Sequence, residues 1–175
     1  MSPWQHVINR LPWLLILMVA YVFTGKIISN FEGQLSDYTN LITYMPMLMG
    51  TGGNTGSQAA TLIIRGLATD EVEPQDFLKI LWKEIRVGII LGTILSIINF
   101  ARIYFLEGVP FSQTITVCTS MIGIVMFAKI LGSMIPLIVK KLNLDPALIA
   151  NPAISSVSDA VALSIYFLMA GIFVF

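Results

Sequence analysis

Two short polar stretches interrupt sequence that is otherwise apolar enough to sit in hydrocarbon: Gly50-Thr51-Gly52-Gly53-Asn54-Thr55-Gly56-Ser57-Gln58, and Asn151-Pro152 through to Asp159. A lipid interior has no water to pair freed backbone groups or solvate a carboxylate. Such stretches persist there only where protein or a water-filled path shields them. They point to a route for a polar solute, and so to transport rather than enzymatic catalysis. Of the 175 residues, 56% are hydrophobic and 11% charged, more apolar surface than a soluble domain of this size could bury. The expected class is all-α and polytopic, embedded in the lipid bilayer. A formal net charge of zero, with no dense basic run, gives no ground for nucleic acid as a partner. The single cysteine, Cys118, has no intrachain partner for a disulfide and reads as a small helix- or lipid-facing residue.

About 20 apolar residues cross a bilayer core. That ruler marks out five spans within one domain covering 1–175: about 11–29, 36–66 broken near 50–58, 74–105, 112–140 and 146–175. Arg10 ahead of the first run resembles the start of a signal peptide, but no small-residue cleavage pattern follows, so the run reads as a retained helix. Pro12 and Pro74 fit helix starts, where a missing N–H costs little, and Pro136 predicts a kink. The third span is too long for the membrane alone. Its first turns carry Glu73, Asp76, Lys79, Lys83, Glu84 and Arg86 and are expected to project into water.

Basic residues set the orientation. Arg10, Arg65, Lys79, Lys83, Arg86, Lys140 and Lys141 fall on the side of the N-terminus, against Lys26 and Arg102 on the other. The positive-inside bias places the N-terminus in the cytoplasm and, after five crossings of the plasma membrane, the C-terminus outside. An odd span count leaves no simple inverted repeat in one chain, so a symmetric pathway requires two copies.

The stretch from Pro46 to Gln58 holds Gly50, Gly52, Gly53 and Gly56 beside Asn54, Ser57 and Gln58. Glycine admits backbone shapes barred to other residues and lets an ion or a second backbone come close, and amides can pair freed backbone groups. Tight helix packing alone is the competing explanation. A phosphate-binding loop is not expected, because no Gly-Lys-Ser or Gly-Lys-Thr follows. In the last span Asn151, Ser155 and Asp159 are spaced by four and stack on one helix face, with Ser158 beside them. A charged side chain facing lipid there costs about 3 kcal/mol, so Asp159 should face the interior. The competing explanation pairs Asp159 with Lys129 or leaves it protonated. A carboxylate among amide, hydroxyl and carbonyl oxygens suits a hard cation such as Mg²⁺ or Ca²⁺. Mg²⁺ gives up its water reluctantly, and a conducting site does best by holding the hydrated ion through its water shell. No Cys/His cluster competes, and His6 reads as a solvated interfacial residue.

The runs PMLMGTGGNTGSQAATLIIRGLAT (Pro46 to Thr69) and LDPALIANPAISSVSDAVALSIYF (Leu144 to Phe167), with the opening RLPWLL from Arg10, closely resemble the transmembrane domain of the MgtE family of magnesium channels. The resemblance implies a homodimer of ten helices, with a twofold pore lined by the second and fifth helices of both chains. It implies Asp159 as the central pore aspartate, with Asn151 and the Ser155 carbonyl around the ion. Gly50, Gly53 and Asn54 would form the facing wall, and Asp145 matches an acid near the cytoplasmic mouth. Ser155 stands where a smaller alanine is common in the family, and an inward hydroxyl would narrow the pore. Typical members carry an acidic N-terminal domain, paired CBS domains and a plug helix ahead of the first span. None of these is in the sequence, which reads as the transmembrane portion or as a short relative. The leading expectation is a passive Mg²⁺-selective channel, with Mn²⁺, Co²⁺ and Ca²⁺ as competing ions. A secondary transporter coupling Mg²⁺ to H⁺ or Na⁺ is the alternative, and a non-transporting scaffold would leave both polar stretches without a role.

Overall fold

The computed structural model describes residues 3–35 and 37–175, with the side chains of residues 6, 9, 10, 13, 32, 34, 35 and 148–152 outside the description. The readings placed on the side chains of His6, Arg10 and Asn151 therefore lie outside the described residues. Regular structure among the described residues is entirely helical: α1 Pro3–Leu35, α2 Thr39–Ala68, α3 Phe77–Phe100, α4 Phe111–Lys141 and α5 Pro146–Phe173. A 3-10 turn at Pro74–Asp76 leads into α3, and a π-helical turn at Ala101–Leu106 ends it.

Among the described residues, four segments are long and apolar enough to cross a membrane: Leu14–Phe31, Pro74–Leu106, Phe111–Lys141 and Ala153–Phe173. Helix α2 is not among them, since its glycines, amides and hydroxyls dilute the hydropathy that the other helices carry. The expected break at 50–58 is also absent, and α2 runs unbroken from Thr39 to Ala68. No glycine in this stretch adopts a positive φ, and Gly108 (φ 67°) is the one glycine that does among the described residues. Glycine's service here is therefore close approach within a regular helix rather than unusual backbone shape. Thr51 Oγ1 and Thr61 Oγ1 bond back to the carbonyls of Met47 (2.7 Å) and Ser57 (2.9 Å), so two of the polar side chains are satisfied within the helix itself.

Two other expectations shift. Helix α1 begins ahead of Pro12, which lies inside it rather than at its start. Glu84, expected in water, turns inward and meets Lys129.

Helix α4 is the hub, buried along most of its length against α2, α3 and α5. Small residues at four-residue spacing permit these approaches. On α3, a Cβ at Gly88 would lie 2.7 Å from Met126 Cα and one at Gly92 2.9 Å from Ile122 Cα. One turn further, Ser96 Oγ donates to the Cys118 carbonyl at 2.9 Å. Between α2 and α4, a Cβ at Gly132 would fall on the carbonyl of Gly56. Without a water-driven hydrophobic effect between helices in lipid, such backbone proximity supplies the packing that holds them. The main core, from Leu41, Tyr44 and Leu48 through Val117, Met121 and Ile124 to Leu163, Tyr166 and Phe167, joins α2, α4 and α5. Tyr166 Oη donates to the Leu41 carbonyl at 2.9 Å and sets the register of α5 on α2. Helix α1 lies at the periphery and packs chiefly on α5, where Phe31 stacks on Phe167 at 4.4 Å.

Candidate functional site

The glycine-rich stretch has two faces because 3.6 residues make a turn. Gly52 and Gly56, four apart, look into the bundle. A Cβ at Gly52 would lie 3.0 Å from Ile124 Cγ2, and one at Gly56 2.8 Å from Ile154 Cγ2 and 3.3 Å from the Ala128 carbonyl. Pro46, Met49, Gly50, Gly53, Asn54 and Ser57 fall on the other face and, with Ser155 and Asp159 of α5, line an open concavity of about 510 Å³. Gly52 and Gly56 thus serve close helix packing, whereas Gly50 and Gly53 leave the concavity open.

Across this concavity α2 and α5 run antiparallel. A Cβ at Gly53 would sit 3.7 Å from Ser155 Oγ and 3.9 Å from Asp159 Oδ1, while at Gly50 it would meet nothing within 4 Å. The Ser155 hydroxyl therefore faces the glycine wall. Ser158, expected beside the stacked polar residues, is buried on the inner face, with its Oγ 3.3 Å from a Cβ at Gly56. Asp159 is half-buried, and its Oδ2 accepts a hydrogen bond from Tyr21 Oη at 3.2 Å. Tyr21 belongs to α1 and had no place in the sequence reading. Its signal was a helical stripe of Tyr21, Thr24, Ile28 and Phe31, which becomes legible only once α5 is known to lie beside it.

Lys129 does not pair with Asp159. Its Nζ donates to Gln58 Oε1 at 3.3 Å and lies 4.0 Å from Glu84 Oε2, in a buried cluster joining α2, α3 and α4. The carboxylate on the concavity is accordingly not neutralised by this lysine. Asp145 is exposed and caps α5, accepting from the Ala147 N–H at 2.9 Å. It stands about 21 Å from Asp159 along the helix axis, fourteen residues at 1.5 Å each. It is not brought to the concavity. Asn151 lies within α5, two turns before Asp159, with its side chain outside the described residues.

No group of three or more His, Cys, Asp or Glu side chains among the described residues could cage a bare metal ion. One carboxylate beside a hydroxyl, an amide and glycine backbone is instead suited to accepting hydrogen bonds from the water shell of a cation. A second concavity of about 530 Å³ involves Thr43, Tyr44, Met47, Asn99, Arg102 and Glu107. There Arg102 pairs with Glu107, which also accepts from Tyr44 Oη, so its charges are satisfied internally.

A family model described as MgtE, divalent cation transporter, matches residues 45–169, a stretch that contains every residue lining the first concavity. The chain is 41% identical over 157 residues to the magnesium transporter MgtE of Thermus thermophilus, a match covering 90% of this chain and 34% of that protein. It is 33% identical over 166 residues to the Bacillus subtilis magnesium transporter MgtE, covering 95% and 37% respectively. With the Enterococcus faecalis magnesium transporter MgtE the identity is 29% over 174 residues, covering 98% and 38%. The chain spans little more than a third of the length of these curated relatives.

Proposed function

The chain belongs to the MgtE family of divalent cation transporters, and from that membership we propose that it passes Mg²⁺ across the plasma membrane as a passive, Mg²⁺-selective channel. All five long helices, α2 included, cross the bilayer, with residues 1–175 forming one pore domain. The N-terminus is cytoplasmic and the C-terminus extracytoplasmic, following the bias of basic residues.

The observation that carries this reading is the Asp159 carboxylate on an open concavity walled by Gly50 and Gly53. A single carboxylate supplies one negative charge to a divalent ion. A homodimer with α2 and α5 on its twofold axis supplies two, and covers a face that would otherwise expose a carboxylate to lipid. Gly50 and Gly53 make room for the hydration shell. Asn54, Asn151 and the Ser155 carbonyl provide groups to bond it, with the Ser155 hydroxyl facing the same space. Asp145, at the cytoplasmic end of α5, adds negative potential near the mouth. Mn²⁺, Co²⁺ and Ca²⁺ are competing ions, discriminated by how their water shells fit the paired carboxylates.

The test is Mg²⁺ flux into proteoliposomes under an imposed voltage, with and without a pH or Na⁺ gradient. A channel gives voltage-driven flux that ignores the second gradient. Flux that requires it would replace this reading with coupled transport.

A further inference from the structure

Helix α1 is the least buried of the five and carries a long run of exposed apolar side chains, including Leu14, Met18, Val22 and Phe23. Against that background Tyr21 places a phenol hydroxyl 3.2 Å from Asp159 Oδ2, across 138 residues of sequence. We propose that Tyr21 is a positioning residue for the ion-selecting carboxylate, a role that rests on the reading of Asp159 as the residue that holds the hydrated cation.

The two oxygens of Asp159 have different surroundings. Oδ2 accepts from Tyr21, and Oδ1 is the oxygen turned toward Gly53 and the concavity, 3.9 Å from where a Cβ of Gly53 would be. A carboxylate rotates readily about its last torsion. Tying one oxygen to a fixed donor holds the other toward the ion. The donor is a neutral hydroxyl, so the negative charge that attracts a cation is kept, whereas a lysine or arginine in the same place would cancel it.

Tyr21 is itself 46% exposed, and what places its hydroxyl is the seating of α1 on α5. Thr24, one turn on, is buried at 5% exposure, and Phe31 stacks on Phe167 with the rings 12° from parallel. Tyr21 and Phe31 are ten residues apart on α1, and their partners Asp159 and Phe167 are eight apart on α5, so the two helices run parallel in near register. The outermost helix thereby gains a function beyond facing lipid, as it sets the orientation of the central carboxylate.

The experiment compares Tyr21→Phe, Asp159→Asn and the double variant of the full chain in proteoliposomes, reading half-saturating Mg²⁺ and maximal flux separately. Tyr21→Phe keeps the ring and removes only the donor. Half-saturating Mg²⁺ is expected to rise about tenfold, equal to about 1.4 kcal/mol, with maximal flux changed by less than about twofold. In the Asp159→Asn background the same substitution should add nothing. An infrared difference spectrum should also show a carboxylate stretching band that shifts in Tyr21→Phe and is missing in Asp159→Asn. Unchanged half-saturation and an unshifted band in Tyr21→Phe, with Asp159→Asn impaired, would overturn the role of Tyr21 alone. Normal flux in Asp159→Asn would overturn the reading of Asp159, and the positioning role with it.

Discussion

Lys129 Nζ lies 4.0 Å from Glu84 Oε2, with the two side chains only 5% and 13% exposed. The cation of α4 thus donates to Gln58 of α2 at 3.3 Å and faces Glu84 of α3 at ion-pair distance, and it is kept away from the carboxylate on the concavity. Burying both charges is costly, and removing one leaves the other without compensation. Lys129→Met is expected to lower stability by about 3 kcal/mol, measured as a fall in thermal unfolding temperature in detergent. Glu84→Gln combined with Lys129→Met should recover most of that loss. A single variant as stable as the parent would show that the pair contributes nothing.

Asp159→Ala should abolish saturable Mg²⁺ flux while the chain still inserts and folds. On the proposed reading, taking away this half-buried carboxylate removes the counter-charge of the ion and relieves a desolvation cost at the same time. Asp159→Asn keeps the shape and should reduce Mg²⁺ preference over monovalent ions by at least about tenfold, or 1.4 kcal/mol. Reversal potentials in mixed-ion bilayers measure this, and unchanged selectivity in both variants would dismiss Asp159 as the selecting residue.

The two glycine faces of α2 should respond differently to substitution. At Gly56 an added Cβ meets Ile154 Cγ2 at 2.8 Å, so Gly56→Ala should destabilise the bundle by about 1–3 kcal/mol through overpacking. At Gly53 the nearest atoms are at 3.7 and 3.9 Å, an ordinary contact, so Gly53→Ala should fold normally. Gly53→Val adds methyl groups that project toward the concavity, and should cut flux more than stability. Thermal unfolding and flux measured on the same three preparations separate the two effects, and equal loss of stability at both positions would refute the division.

The conducting unit should be a dimer. On the proposed reading two carboxylates share one axis to balance a divalent ion, so light scattering of detergent-solubilised protein, corrected for bound detergent, should give twice the chain mass. Monomers that retain Mg²⁺ flux after reconstitution at high dilution would contradict this.

What the sequence determined by itself was local: which segments are apolar enough for a membrane, where polar groups interrupt them, and which spacing puts Ser155 and Asp159 on one helical face. These follow from composition and the 3.6-residue period, and the observed α4 and α5 match the expected bounds closely. The four-residue spacing of Gly88, Gly92 and Ser96 was equally open to that period, though its partner helix was not. Tertiary structure decided the rest. A glycine cluster can break a helix or let another helix come close, and only the approach of α4 and α5 onto Gly52 and Gly56 selected a continuous α2. Likewise Lys129 could have met Asp159 or Glu84, and Tyr21 could have faced lipid. Those choices depend on the rotation and register of helices far apart in the chain, which are set by the sum of many backbone and side-chain contacts between them rather than by any residue's own neighbours in sequence.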